Sequence, residues 1–211
     1  MQALPPIGHY FSAEHTQLRD MMREWVANEI IPFVNEWDEA GTFPLHLYKR
    51  AAQLGITGLG YPEALGGTPC DVFHTLIASE EYARSGCGGV AASMNSHTIA
   101  LPPILHHGNA ELQKRYIPPV LAGEKIAALA ITEPSGGSDV AALKTTAVRD
   151  GDHYVVSGEK VFITSGMRAD FFTVAVRTNP ENKGAGGISA LVIDGDTPGL
   201  TRTELKKMGW W

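Results

Sequence analysis

The sequence predicts an α+β protein, with an all-α helical domain over residues 1–123 followed by a β-sandwich or barrel-like domain over residues 124–211. Three observations predict it. Up to about Gly123 the apolar residues recur at helical spacing, and from Lys125 they fall into short strand-type runs. Asp150-Gly151, between the runs Lys144–Val148 and Tyr154–Val156, is a strong hairpin turn. Helices first and strands second mark two domains, and 211 residues with a 44% apolar share suffice for that.

The elements follow in order. Ser12 is a candidate N-cap, with Phe11 as the hydrophobic residue before it. Leu18, Met21, Met22, Trp25 and Val26 then form one apolar helix face. Pro32 starts a second short helix or kinks the first, and Gly41 ends it. Pro44–Leu54 reads as a helix stopped by Gly55, and Pro62–Gly67 as a turn after an apolar piece. Asp71 is the expected N-cap of a helix through Arg84, with Val72, Leu76 and Ile77 inward and Glu80-Glu81 partly outward. Gly88–Leu105 reads as one helix of small residues bent at its end by Pro102-Pro103. Ala110–Tyr116 reads as a short helix capped by Asn109 and ended by Pro118-Pro119. Strands are expected at Ile126–Ile131, in the hairpin, and at Lys160–Thr164, Phe171–Arg177, Ile188–Ile193 and Leu200–Glu204, with a mobile loop over Asn179–Gly187.

Charge and composition exclude several classes. A formal net charge of −6 offers no basic surface for nucleic acid. No apolar run approaches the ~20 residues of a membrane span, and the N-terminus shows neither a secretory nor an Arg-rich transit pattern. Cys70 and Cys87 lack metal-type spacing and fit reduced thiols in a cytoplasmic protein. His97, His106 and His107 read as structural or surface histidines, and no metal site is expected.

The stretch with most chemistry runs from Ala130 to Ala142. Pro134 removes a backbone donor, Gly136 and Gly137 allow positive φ and close approach to a ligand, and Thr132, Ser135 and Ser138 supply hydroxyls. Such a loop after a strand suits a planar, polar ligand. A plain surface turn has the same composition.

A resemblance separates the two. Ala130, Ile131, Thr132, Glu133, Ser135 or Gly136, Gly137, Ser138, Asp139 and Ala142 fill, without a gap, a pattern that resembles the flavin-binding signature of acyl-CoA dehydrogenases. Downstream, Gly158-Glu159-Lys160-Val161-Phe162-Ile163-Thr164-Ser165-Gly166 resembles that family's Gly-x-Lys-x-Trp-Ile-Thr-Asn segment, with Phe162 in place of Trp and Ser165 in place of Asn. The apolar run, Pro62-Glu63 and the Gly66-Gly67 loop are similar as well.

The resemblance implies FAD-dependent α,β-dehydrogenation of an acyl-CoA thioester in fatty-acid metabolism. It implies an electron-transfer flavoprotein as acceptor and a homotetramer or dimer. It assigns Leu129, Ile131 and Thr132 to the flavin lining, and Gly137 and Ser138 to its pyrophosphate or ribityl side, with Ser138 also near the CoA arm. Phe162, Ile163 and Thr164 would pack on the isoalloxazine. Ala92, Asn95 and Ile99 would floor an acyl pocket for a chain of medium or greater length, and the loop over Lys183–Gly186, with Gly184, would lie near the CoA phosphates. Family members are longer, so this chain resembles the first helical domain and most of the middle β domain. The catalytic Glu is expected from a C-terminal helical domain beyond Trp211. Glu133 reads as a loop-holding residue, and Glu63, Glu80 and Glu81 have no motif support as a base. The chain alone is therefore expected to bind FAD weakly and to turn over no substrate. An acyl-CoA oxidase, a flavin monooxygenase of the same build and a non-catalytic acyl-CoA- or partner-binding protein are the alternatives.

Overall fold

A computed structural model describes residues 10–207 and Gly209. The chain forms two compact units. The first takes in the described residues up to Ser96, Ile117–Glu124, Lys207 and Gly209. The second takes in His97–Tyr116 and Lys125–Lys206.

The first unit is helical. Helix α1 (Ala13–Trp25) is capped by Ser12, and His15 at its third position closes a capping box by accepting from the Ser12 amide at 2.9 Å. A π turn over Val26–Ile30 and a 3₁₀ turn over Ile31–Phe33 follow, because Pro32 has no N–H to continue the α ladder. Helix α2 (Val34–Ala40) ends on Gly41 at φ 68°, and α3 is His46–Gln53. Helix α4 (Val72–Ala83) starts from Asp71, whose carboxylate accepts from the Phe73 and His74 amides. Its core face is Ile77, Ala78, Glu81 and Tyr82. Val72 and Leu76, expected inward, are 71% and 52% exposed, and Glu81, expected partly outward, is fully buried. The reason is electrostatic: Arg19, Arg23 and Arg84 enclose the Glu81 carboxylate, so it packs inward where a lone charge could not.

The expected long helix is two. Helix α5 is Gly88–Asn95 and α6 is Pro102–His107, with turns between them. Pro102 and Pro103 open α6 instead of bending the end of a longer helix, since proline suits the first turn, where the missing donor costs nothing. Pro118 and Pro119 do not end α7 (Ala110–Leu121) but lie inside it. The turn after them closes through Ala122 N–H on Pro118 O and Glu124 N–H on Pro119 O.

The second unit holds, among the described residues, a five-stranded mixed sheet: β1 (Ala127–Ala130), β2 (Thr146–Asp150), β3 (His153–Ser157), β4 (Phe171–Arg177) and β5 (Ile188–Asp194). Strand β4 is central and nearly all buried, as a strand covered on both faces must be. Strand β5 pairs antiparallel along one edge of β4, from Phe171↔Asp194 to Arg177↔Ile188. On the other edge β1 runs parallel over Phe171–Val174, and β2 adds one bridge at Thr146↔Arg177. The β2–β3 hairpin turns through Gly151 at φ 59°. The sheet packs on the start of α7, where the Tyr116 ring lies 4.7 Å from that of Phe171 and its hydroxyl donates to Asp194 at 2.9 Å.

Two expected strands are not strands. Lys160–Thr164 holds Phe162 at φ 59° and runs into Ser165 at φ 61°, values no strand accommodates. Leu200–Glu204 makes no ladder. It is held instead by Arg202, which donates to Gly195 O at 2.6 Å and lies over the Phe172 ring. The 179–187 loop, expected mobile, is tied by the Arg177 guanidinium to Asn182 O at 2.6 Å and Gly184 O at 3.3 Å. No helix among the described residues is long and apolar enough to cross a membrane.

Candidate functional site

Strand β1 delivers the chain into the glycine-rich loop. Leu129, Ile131 and Thr132 are half-buried along its end, and Gly137 and Ser138 are exposed beyond it. The loop turns at once, since the Glu133 and Gly136 amides each donate to the other's carbonyl at 3.0 Å. Neither Gly136 nor Gly137 has positive φ, so the freedom expected of them is not what this backbone uses. Gly137 is required for space: a Cβ there would lie 2.9 Å from the Thr132 methyl. The loop therefore folds back onto the Thr132 side chain.

One residue organises this region from below. Glu133 is 5% exposed, and its two carboxylate oxygens accept from the Lys144 amide at 2.6 Å, the Thr145 amide at 2.8 Å and Lys160 Nζ at 2.9 Å. Lys160 also donates to Ile131 O at 2.9 Å. Burial pushes the Glu133 carboxyl up, but the Thr145 side chain, the two amides and the Lys160 ammonium outweigh it and bring it from 4.5 down to about 2. The ion pair thus joins the end of β1, the Lys144-Thr145 segment and the second motif. A backbone bond from Val161 N–H to Thr132 O at 2.9 Å makes the same join. Gly158 lets this second segment close onto Thr145, where a Cβ would come within 2.7 Å of its backbone.

Just past that join stands Phe162, with its backbone in the left-handed region and its ring 75% exposed. A bulky residue in that conformation is strained, and such strain concentrates at functional sites. Ile163 is half-buried against the sheet core, and Thr164 is exposed beside it. Ser165 repeats the left-handed conformation at the position where the resembling segment has Asn, which tolerates it better. The structure thus brings Thr132, the Gly136-Gly137 turn and Phe162–Thr164 together through the Thr132–Val161 contact. Gly184 joins the same unit through Arg177, whose guanidinium also donates to Ala141 O and Leu143 O, at the end of the glycine-rich loop. The roles of Lys160 and Arg177 were missed in the sequence. The Gly-x-Lys pattern was the signal for the first, and nothing local marks the second.

The acyl-floor residues divide. Ala92 and Asn95 lie on α5 in the helical unit and line a pocket of about 430 Å³ with Ala83, Gly86, Cys87 and Ala91. Small side chains leave that space open. Asn95 is already engaged, donating to Ala91 O at 2.8 Å and accepting from Ser79 Oγ at 2.7 Å. Ile99, 49% exposed, belongs to the other unit.

Comparison with known proteins divides the chain differently, between residues 124 and 128, which places Ile99 with Ala92 and Asn95. The family model "Acyl-CoA dehydrogenase, N-terminal domain" matches residues 12–124, and "Acyl-CoA dehydrogenase, middle domain" matches residues 128–210. Cyclohex-1-ene-1-carbonyl-CoA dehydrogenase of Geobacter metallireducens is 42% identical, over 95% of this chain and 53% of its own. The crystal structure of a probable acyl CoA dehydrogenase from Mycobacterium abscessus is 46% identical with a TM-score of 0.90, over 95% of this chain and 54% of that one. An acyl-CoA dehydrogenase complexed with FAD from Bacillus anthracis is 34% identical with a TM-score of 0.85, over 96% of this chain and 34% of that one. The chain spans about half the length of the curated relatives it matches.

Proposed function

Since the chain belongs to the acyl-CoA dehydrogenase family, we propose that it is the part of a cytoplasmic FAD-dependent acyl-CoA dehydrogenase of fatty-acid metabolism that holds the flavin and the acyl group. The observation that carries this reading is the pairing of the glycine-rich loop with the Phe162–Thr164 segment, fixed from beneath by Glu133 and Lys160. The residues present suit a flavin: an exposed aromatic ring in a strained backbone, a glycine turn folded onto a threonine, and exposed hydroxyl residues at Ser138 and Thr164. Leu129, Ile131, Thr132, Gly137, Ser138, Phe162, Ile163 and Thr164 would hold it. When bound, FAD supplies the acceptor for the hydride removed from the β-carbon.

The chain's own residues orient and enclose. Thr132 and Thr164 present hydroxyls, Phe162 gives a face for stacking without the indole donor of Trp, and the α5 pocket with Ala92 and Asn95 takes the acyl chain, with Ile99 in the same role. Ser138 and Gly184 serve the CoA arm. The α-proton needs a positioned carboxylate base. Glu133 is unsuited, because its oxygens are engaged by two amides and an ammonium and its pKa of about 2 makes it a weak base. On the family resemblance the base would be a Glu outside these 211 residues, and these residues alone would bind FAD weakly and turn over no acyl-CoA. Electrons leave to an electron-transfer flavoprotein. Assembly as a homotetramer or dimer belongs to the same family reading.

The test uses the flavin-loaded full-length protein, with the segment that supplies the base, since the 211 residues alone are expected to give no turnover. Acyl-CoA should bleach the flavin absorbance and reduce an artificial electron acceptor. Thr132→Val should weaken flavin binding or slow its reduction, and Ala92→Phe should shorten the accepted chain. A protein whose flavin is not bleached by any acyl-CoA, of whatever length, would overturn the reading.

A further inference from the structure

The starts of α1 and α4 bring together three side chains that the proposed chemistry does not use. His15 Nε2 lies 2.9 Å from Asp71 Oδ1, and His74 Nδ1 lies 2.8 Å from the same oxygen. One ligating atom from each residue falls within 4.8 Å of the other two. The two imidazole rings stand 4.1 Å apart, tilted by 47°. His15 is buried, His74 is nearly so, and the Asp71 side chain is 52% exposed. Fifty-six residues separate His15 from Asp71, so no spacing pattern announces the set.

From this geometry we infer that His15, Asp71 and His74 form a binding site for a divalent transition-metal ion of borderline softness, Zn²⁺ being the representative, which clamps the start of α1 to the start of α4. Two imidazole nitrogens and one carboxylate oxygen are the donors that zinc, copper and nickel take, whereas magnesium and calcium prefer oxygen alone. Zinc holds nitrogen and oxygen at about 2.0–2.2 Å, which sets tetrahedral ligand atoms roughly 3.3 Å apart. The two hydrogen-bonded contacts would therefore open by about half an ångström, and the two histidine nitrogens, within 4.8 Å of each other, would settle to the same spacing. Asp71 Oδ1 would bind the ion beside the Phe73 and His74 amides from which it also accepts. Half-exposed Asp71 leaves the fourth position to water.

The outer contacts fit as well. A ligating histidine commonly gives its other N–H to a fixed acceptor. The Ser12 hydroxyl stands 3.0 Å from His15 Nδ1 and can serve. Phe11 and Phe73 pack edge-on against the His15 ring and shield it from water. On binding, each imidazole carries its proton on the ring nitrogen turned away from Asp71. For His15 this moves the proton from Nε2 to Nδ1 and ends the bond that Nδ1 now accepts from the Ser12 amide. The two states therefore differ in the His15 tautomer. The N-termini of two helices oppose a cation, so Asp71 is the ligand without which the site fails, and the affinity is below that of a closed four-ligand site.

The test is metal titration of the untagged chain, by cobalt absorbance and by zinc equilibrium dialysis, with the His15 tautomer read by nitrogen NMR. One ion per chain is expected, with a raised melting temperature and a shift of the His15 proton to Nδ1. His74→Ala should weaken binding about tenfold or more, as losing even an outer-shell partner costs 10–100-fold. Asp71→Asn should abolish binding while keeping the helix cap, since asparagine caps as well as aspartate. His106→Ala with His107→Ala should change nothing. Absence of a stoichiometric ion, or equal affinity in wild type, His74→Ala and Asp71→Asn, would overturn the site and leave the cluster as a hydrogen-bonded cap. Neither result bears on the flavin reading.

Discussion

Among the described residues each unit buries one glutamate, and the two are held in opposite ways. In the helical unit, Glu81 is fully buried and meets only side chains: Arg23 at 2.8 Å, Arg84 at 3.0 Å and Arg19 at 3.2 Å, while Arg19 also reaches Glu80 at 2.6 Å. In the sheet unit, Glu133 meets two backbone amides and one ammonium. The first arrangement locks helix to helix, α1 to α4. The second locks three loop segments whose backbones have no ladder partners of their own. Helices satisfy their backbone internally, so a charge inside a bundle must be answered by other side chains. Loops leave amides free, and a carboxylate can spend its charge on those. A glutamate of the second kind fixes backbone position, which a ligand site requires.

The largest expected effect breaks the Glu81 side of this comparison. Glu81→Ala strands the Arg23 and Arg84 guanidiniums against an emptied buried position. It should cost about 3–5 kcal/mol, read as a lower midpoint in urea unfolding. A loss below about 1 kcal/mol would show that the arginines find water instead.

Next is Glu133. Glu133→Ala leaves the Lys144 and Thr145 amides unmatched and should cost about 1–3 kcal/mol, with a larger proportional loss of flavin retention than Glu81→Ala gives. Equal flavin loss in both variants would erase the distinction between helix lock and loop lock. The pH dependence sharpens it. The Glu133 carboxyl is depressed from 4.5 to about 2, so its contribution is fully present above pH 4.5 and is lost as pH falls towards 2. Glu133→Gln should flatten that part of the stability profile, measured by thermal melts across the acid range.

Smaller is the helix cap. Ser12→Ala removes the side-chain half of the α1 capping box and should cost about 1 kcal/mol, checked by chemical denaturation. Least is Leu76→Ser. At 52% exposure it should change the stability of the isolated chain by no more than about 0.5 kcal/mol. A larger loss would mean that another copy of the chain covers α4, and a concentration-dependent midpoint would confirm that.

Much of this was legible in residue order. The switch of period at Lys125, the Ser12, Asp71 and Asn109 caps and the Asp150-Gly151 hairpin all depend on neighbours within a few residues, and each stands where expected. The glycine-rich loop and the Lys160–Gly166 segment were legible as motifs for the same reason, since a tight turn demands particular residues in a row. Tertiary structure decided the rest. Only packing made Glu81 core and Val72 and Leu76 surface, because which face of α4 is buried depends on three arginines, two of them on another helix. Only the fold ran α7 on past two prolines and made Pro102 a beginning instead of an end. Only the fold joined Glu133 to Lys160, and His15 to Asp71 and His74, across 27 and 56 residues. Local chemistry sets the caps and turns of a chain, but charges brought from distant positions choose their partners only when the chain has closed around them.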